Sequence, residues 1–110
     1  MKKDDTVYLQ HILDAIQRIE SYTRGITKEK YMQYGLLQDG VVRQLEIIGE
    51  ASNKLSEEFK EKHSVVPWGQ IIGLRNRIVH AYFDINLEVT WDITEEDIPE
   101  LKTQITRILF

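Results

Sequence analysis

The chain has 110 residues, room for one hydrophobic core and not two, so residues 1–110 read as a single domain. Hydrophobic residues make up 42% and charged residues 29%, which excludes wholesale disorder; the absence of cysteine excludes a disulfide scaffold, a thiolate metal site and a cysteine nucleophile. A formal net charge of −4 excludes nucleic-acid binding through bulk charge, so any such site must be a local basic patch.

The start, Met1-Lys2-Lys3-Asp4-Asp5, lacks the apolar region of a signal peptide, and no apolar run approaches the ~18 residues of a membrane span. A cytoplasmic protein without a membrane partner is the expectation. Leu9, Ile12, Leu13, Ile16 and Ile19 recur at helical steps and predict a first helix over about residues 5–23, stopped by Gly25. Thr27 caps a second, longer segment. Its narrow apolar sector holds Tyr34, Val41, Leu45, Ile48, Ser52 and Leu55, with Arg43, Glu46, Glu50 and Asn53 opposite. Gly40 weakens this segment and predicts a break near Gln38-Asp39-Gly40. The charged run Ser56–Ser64 reads as a frayed helix end plus loop.

Pro67 predicts the first position of a third helix, running from Trp68 to about Phe83. Asn86 caps a short turn, Leu87–Asp92; Ile85–Val89 is the only stretch with an ambiguous strand signal. Thr94 begins a last helix, with Glu95, Glu96 and Asp97 in its first turn, Pro99 early enough to be tolerated, and Leu101, Ile105, Ile108 and Leu109 as its apolar face. The expected fold is all-α, an antiparallel bundle of four to five helices.

Chemistry concentrates on the third helix. On one continuous helical wheel Gly69, Gly73, Asn76 and His80 share a face, and Arg77 borders it. Two glycines on a helix cost about 1 kcal/mol each relative to alanine, so Gly69 and Gly73 predict a close approach, by a partner helix, another backbone or a ligand. Arg75 falls about 100° away on that wheel, among Trp68, Ile71, Ile72, Val79 and Tyr82. An arginine in an apolar sector needs a carboxylate, and Glu46 or Glu50 is expected to hold it; the alternative for both glutamates is a solvated pair. The histidines have no helical metal-ligand spacing, the glutamates have no paired histidine, and the glycines form no phosphate loop, so no metal and no cofactor are expected.

Arg75, Asn76 and His80 together suit RNA cleavage without a metal. That reaction needs a proton acceptor for the 2′-hydroxyl, a proton donor for the leaving 5′-oxygen, and cationic donors for charge building on the phosphate. Imidazole serves either proton role, arginine offers a fork matched to phosphate oxygens, and asparagine orients a group without charge. Five residues separate Arg75 from His80, about 140° around one helix, so the two do not share a face in one subunit. A two-fold homodimer meeting at the glycine stripe would bring two sets around one cleft.

The string Gly73-Leu74-Arg75-Asn76-Arg77-Ile78-Val79-His80-Ala81-Tyr82 resembles the R-x4-6-H motif of HEPN domains, and in particular the R-N-x3-H-x-Y form of HepT-type toxins. Val42–Ala51 resembles that family's second block, and Val66-Pro67-Trp68 and Val89-Thr90-Trp91 also fit; together they span roughly Gly40 to Pro99. The Arg-x4-His spacing alone is a weak signal, whereas its combination with these blocks is specific. The resemblance implies a helical bundle that dimerises around a shared cleft. It implies a metal-independent endoribonuclease, the toxin of a prokaryotic toxin–antitoxin pair, with an MNT-type minimal nucleotidyltransferase as antitoxin. Carried over, Arg75, Asn76 and His80 would be catalytic, and Tyr82 would be the residue the antitoxin modifies with AMP. Two other readings stay open: a non-catalytic module that docks a nucleotidyltransferase or holds a nucleotide, and a structural dimerisation bundle.

Overall fold

A computed structural model describes residues 1–79 and 84–110. Its extents of 42 × 31 × 20 Å match two layers of helices, since one helix with its side chains is about 10–12 Å across. Helix α1 (Lys3–Thr23) buries Leu9, Ile12, Leu13, Ile16 and Ile19, the predicted stripe, against α3. Gly25 ends that arm with φ 71°, a left-handed conformation that a side chain would resist.

The second segment breaks at Tyr34, whereas the sequence predicts a break near Gln38-Asp39-Gly40. Helix α2 (Lys28–Gln33) is capped by the Thr27 hydroxyl, which accepts from Lys30 N–H at 3.2 Å. Tyr34 then leaves helical geometry, and Gln38 Nε2 donates to the Tyr31 carbonyl at 2.8 Å. Helix α3 (Gly35–Lys54) runs unbroken through Gly40, whose missing side chain lets the Tyr22 ring of α1 lie against it. Val41, Leu45, Ile48 and Ser52 fill the buried sector as predicted, followed by Leu55; Tyr34, outside the helix, is half-exposed.

Residues 56–64 are more ordered than their charge implied. Ser56 caps α4 (Glu57–Lys62), Phe59 is buried beneath it, and acidic residues at its start face basic ones at its end, in agreement with the helix dipole. The buried Asp5 carboxylate ties this helix to α1, accepting from Ser56 N–H and Ser56 O–H at 2.8 Å each. Asp5→Ala is therefore expected to lower stability by about 2–3 kcal/mol, the worth of a charge-assisted bond and an orphaned backbone donor. Asp5→Asn, which keeps an acceptor, should lose less; a urea melt showing no loss in Asp5→Ala would contradict this.

The largest departure lies in the third helix. Two short helices, α5 (Trp68–Ile72) and α6 (Leu74–Ile78), meet at Gly73, and Pro67 precedes α5 instead of starting it. The hydrogen-bond ladder ends with Gly73 N–H on the Gly69 carbonyl and restarts with Asn76 N–H on the Gly73 carbonyl, both at 3.0 Å. Val79 is extended (φ −95°, ψ 121°) and pairs with Ile85 in an isolated antiparallel bridge. One continuous wheel from Trp68 therefore does not hold past Gly73, and the expected end of the helix, His80 to Phe83, lies outside the described residues.

Asn86 caps α7 (Leu87–Asp92) as predicted, accepting from Val89 N–H at 3.2 Å. Thr94 does not start a helix. Helix α7 continues through a π-helical turn (Ile93–Asp97) into α8 (Ile98–Leu109), and the buried Thr94 hydroxyl donates to the Thr90 carbonyl at 2.9 Å. The wide turn sits just ahead of Pro99, where the ladder loses a donor. Leu101 and Ile105 are buried; Ile108 and Leu109 are partly so. Beneath α7, the fully buried Tyr31 hydroxyl lies 2.7 Å from Thr90 Oγ1 and its ring 5.2 Å from that of Trp91. Burial raises the Tyr31 pKa above its ordinary value, an effect the Thr90 hydrogen bond partly offsets. Among the described residues no helix is long and apolar enough to cross a membrane.

Candidate functional site

Arg75 stands on α6 with its side chain 61% exposed, and Nη1 donates to Glu46 Oε2 on α3 at 3.1 Å. The expected glutamate partner is thus Glu46, while the expected core-facing setting of Arg75 is incorrect. Restarting the helix at Gly73 gives the buried face of α6 to Leu74 and Ile78, one turn apart, and turns Arg75 outward. Glu50, the other candidate, approaches Arg43 at 3.8 Å instead. An exposed pair of this kind contributes about 0–1 kcal/mol to stability, so the Glu46 contact chiefly orients the guanidinium.

Arg75, Glu46, Glu50 and Asn53 border a shallow groove of about 190 Å3 floored by Gly49 and Ile72. Gly49 sets its geometry. A Cβ there would lie 3.2 Å from the Ile71 carbonyl oxygen and 3.5 Å from that of Ile72, so α3 and α5 touch backbone to backbone directly below Arg75. Gly49 lies within the Val42–Ala51 block, where nothing in its spacing marks it as a point of helix contact. At the two glycines of the predicted close-approach face, a Cβ on Gly69 would meet nothing within 4 Å in this chain, and one on Gly73 would meet the Gly69 carbonyl at 3.2 Å. Within the described chain the stripe therefore packs against no other element at Gly69, and Gly73 serves as the hinge between α5 and α6.

Asn76 is exposed beside Arg75. Arg77 points elsewhere: its Nη1 donates to Asp97 Oδ2 at 2.8 Å, tying α6 to the π turn. His80 and Tyr82 lie outside the described residues. The chain on either side of them is closely joined, by the Val79–Ile85 bridge and by Asn86 N–H donating to the Ile78 carbonyl at 2.6 Å. Asn86 thus fixes two things at once, its side chain starting α7 and its backbone closing on α6. Among the described residues no three His, Asp or Glu side chains are placed to hold a metal ion. His11 stands edge-on to Tyr8, and the His63 ring lies 4.5 Å from that of Phe59.

Residues 12–108 match the family described as Ribonuclease HepT-like. The chain is 39% identical to "Probable ribonuclease HepT" of Thermococcus cleftensis, covering 98% of both chains. It is 42% identical to a "Putative RNase" of Caldanaerobacter subterraneus, covering 93% of this chain and 91% of that one. It is also 41% identical to a "Gamma-glutamylcyclotransferase and putative RNase" of Methanocaldococcus jannaschii, over 99% of this chain, but it spans only 49% of that longer protein. No solved structure matches the chain. With the match running from α1 to the end of α8 and taking in both the Glu46 block and the Arg75 helix, the chain belongs to the HepT-like ribonuclease family.

Proposed function

We propose that this protein is an endoribonuclease that cleaves RNA without a metal ion. In this reading it acts as a homodimer and is the toxin of a toxin–antitoxin pair, with an MNT-type nucleotidyltransferase as antitoxin. The observation that carries the reading is the setting of Arg75: exposed at a groove, held at one corner by Glu46, with the rest of its planar fork turned to solvent. Arg75 binds the phosphate and stabilises charge as it develops. Asn76, its exposed neighbour, orients the ribose or the phosphate. His80 moves the proton. The 2′-oxygen loses its proton and attacks phosphorus, the bond to the 5′-oxygen breaks and that oxygen is protonated, leaving a 2′,3′-cyclic phosphate and a 5′-hydroxyl. Arg77 and its partner Asp97 support α6 and do not touch substrate.

The regulatory half of the proposal concerns Tyr82. Transfer of AMP from ATP to its phenolic oxygen, with release of pyrophosphate, places a negative phosphodiester two residues beyond His80 in the chain. That charge competes with substrate phosphate for the same cationic groups.

The purified chain should cut RNA in the presence of excess chelator and leave cyclic-phosphate ends. Co-expression with the cognate nucleotidyltransferase should raise its intact mass by whole AMP units and silence it, and Tyr82→Phe should block that gain. Cleavage lost to the chelator would refute the mechanism. Tight binding to the nucleotidyltransferase with no cleavage of any RNA would favour the non-catalytic module, the reading that the net charge of −4 supports.

A further inference from the structure

We infer that the seam between α1 and α3 is a second RNA contact, where single-stranded substrate stacks its bases on Tyr22 and Tyr34 and lays its phosphates against Arg18 and Lys30. The inference rests on the reading of this chain as a ribonuclease and names the form of RNA it holds.

Helix α3 makes close approaches on two flanks. Gly40 and Gly49 are nine residues apart, which places them about 180° apart around the helix and about 13.5 Å apart along it. Gly49 meets the backbone of α5 below Arg75, whereas a Cβ on Gly40 would lie 3.4 Å from the Tyr22 ring of α1. On the Gly40 flank, Tyr22, Tyr34, Leu36 and Leu37 line an open groove of about 380 Å3. Both rings are more than one-third exposed, and Leu36 is 75% exposed. Each ring is held in place: Tyr22 by the space above Gly40, and Tyr34 by its position at the break between α2 and α3. Further along the seam a smaller groove of about 210 Å3 is bordered by Arg18, Gln44 and Ile47. Arg18 precedes Tyr22 by one turn of α1, so guanidinium and ring share a face. Lys30 precedes Tyr34 by the same interval.

Charge favours RNA as the occupant. From Ala15 to Gln38 the chain carries Arg18, Arg24, Lys28 and Lys30 against Glu20 and Glu29. Glu20 is held by Lys102 at 2.9 Å, whereas none of the four cations forms an ion pair among the described residues, and all four are exposed. From Asp84 to Glu100 the balance is reversed, with seven acidic residues and no Lys or Arg, so that segment repels phosphate. The net charge of −4 therefore hides a polarised surface, and the local basic patch that RNA capture requires lies where α1 turns into α2. Exposed rings beside unpaired cations suit a single strand, because every base offers a face to stack and the backbone follows the positive charge. An apolar protein partner would have to desolvate those cations without compensating them.

The track also suits the site. A strand with one phosphate at Arg75 reaches the Tyr22 groove by crossing the exposed ridge of α3. That path is about one helix width across and nine residues of rise along, a span of a few nucleotides. A duplex keeps its base faces stacked inside, so it cannot use the rings.

A fluorescein-labelled 2′-O-methyl oligouridylate of ten nucleotides tests the track by anisotropy in excess chelator. It has no free 2′-hydroxyl, so it binds without being cut. The wild-type chain should bind it at least tenfold more tightly than its blunt duplex with oligoadenylate. Tyr34→Leu, which keeps the apolar cover and loses the ring, should weaken binding about ten- to a hundredfold and leave its salt dependence unchanged. Tyr34→Phe should bind as wild type. Arg18→Gln should flatten the slope of log K against log salt by about 0.7, the loss of one phosphate contact on a single strand, which a merely structural role for Arg18 would not do. No binding of the oligomer, equal binding of strand and duplex, wild-type affinity in Tyr34→Leu, or an unchanged slope in Arg18→Gln would each overturn the inference. A Tyr34→Leu chain that keeps its RNA affinity but changes its sedimentation would assign the groove to a second protein copy instead. Because the probe is not cleaved, the two readings separate: binding with this pattern and no cleavage of RNA removes the nuclease, while cleavage without this pattern removes the track.

Discussion

Replacing His80 with alanine should reduce the rate of RNA cleavage by about 10²–10⁴-fold, the usual contribution of one positioned acid or base. Arg75→Ala should cost about 10²–10³-fold, the loss of one donor aimed at developing charge. Arg75→Lys is the more informative change. It retains the positive charge but loses the planar fork that can hold Glu46 with one nitrogen and phosphate with the others. If orientation matters, kcat should fall nearly as far as in Arg75→Ala while KM changes little. Glu46→Gln should give a milder version of the same split, since the amide oxygen still accepts a hydrogen bond but no longer fixes the guanidinium by charge. None of the three site variants at 46 and 75 should shift the melting temperature by more than a degree or two, because exposed pairs add so little to stability. An Arg75→Ala protein that cut RNA at the wild-type rate would eliminate the proposed site, whatever the fate of His80.

Much of this architecture was legible in the sequence because it depends on local rules. The α1 stripe, the Thr27 and Asn86 caps and the stop at Gly25 rest on residues within a turn or two of each other, and each was found where expected. What failed were inferences that carried helical periodicity through a position where tertiary contacts decide. The apolar spacing from Trp68 onward is consistent with one long helix, but the chain bends at Gly73 and leaves helical geometry at Val79. Arg75 consequently changed from a core-facing residue to an exposed one, although its expected glutamate partner was correct. Glu46 was identifiable because charge demanded a partner; the choice of Glu46 over Glu50 was not, because it depends on how closely α3 and α5 approach. Order in residues 56–64 was hidden for a similar reason: what stabilises α4 is Asp5, fifty-one residues away from Ser56 in sequence.

That close approach leads to the second large effect, at Gly49. Valine there would set a Cβ 3.2 Å from the Ile71 carbonyl oxygen and 3.5 Å from that of Ile72, and its two methyl groups would need further room. The obstacle is backbone, which cannot rotate aside as a side chain could, so α5 and α6 must shift as a unit away from α3. Overpacking of this sort costs about 1–3 kcal/mol. Alanine, needing only a few tenths of an ångström, should lose much less, offset in part by its roughly 1 kcal/mol advantage over glycine in helices. The larger consequence is functional. Arg75 is on α6 and Glu46 on α3, so any displacement between these helices opens their 3.1 Å contact and would move the guanidinium off the phosphate it is proposed to bind. A misplacement of about 1 Å can cost a hundredfold in rate. Gly49→Val should therefore lower cleavage about as far as removing Arg75, while also lowering the urea midpoint, a combination that no variant of Arg75 itself should produce. Gly69→Ala is the matching control. Its new Cβ points into open space, so it should keep both stability and activity, and if it instead abolished cleavage, the groove above Gly49 would not be where α5 and α6 do their work.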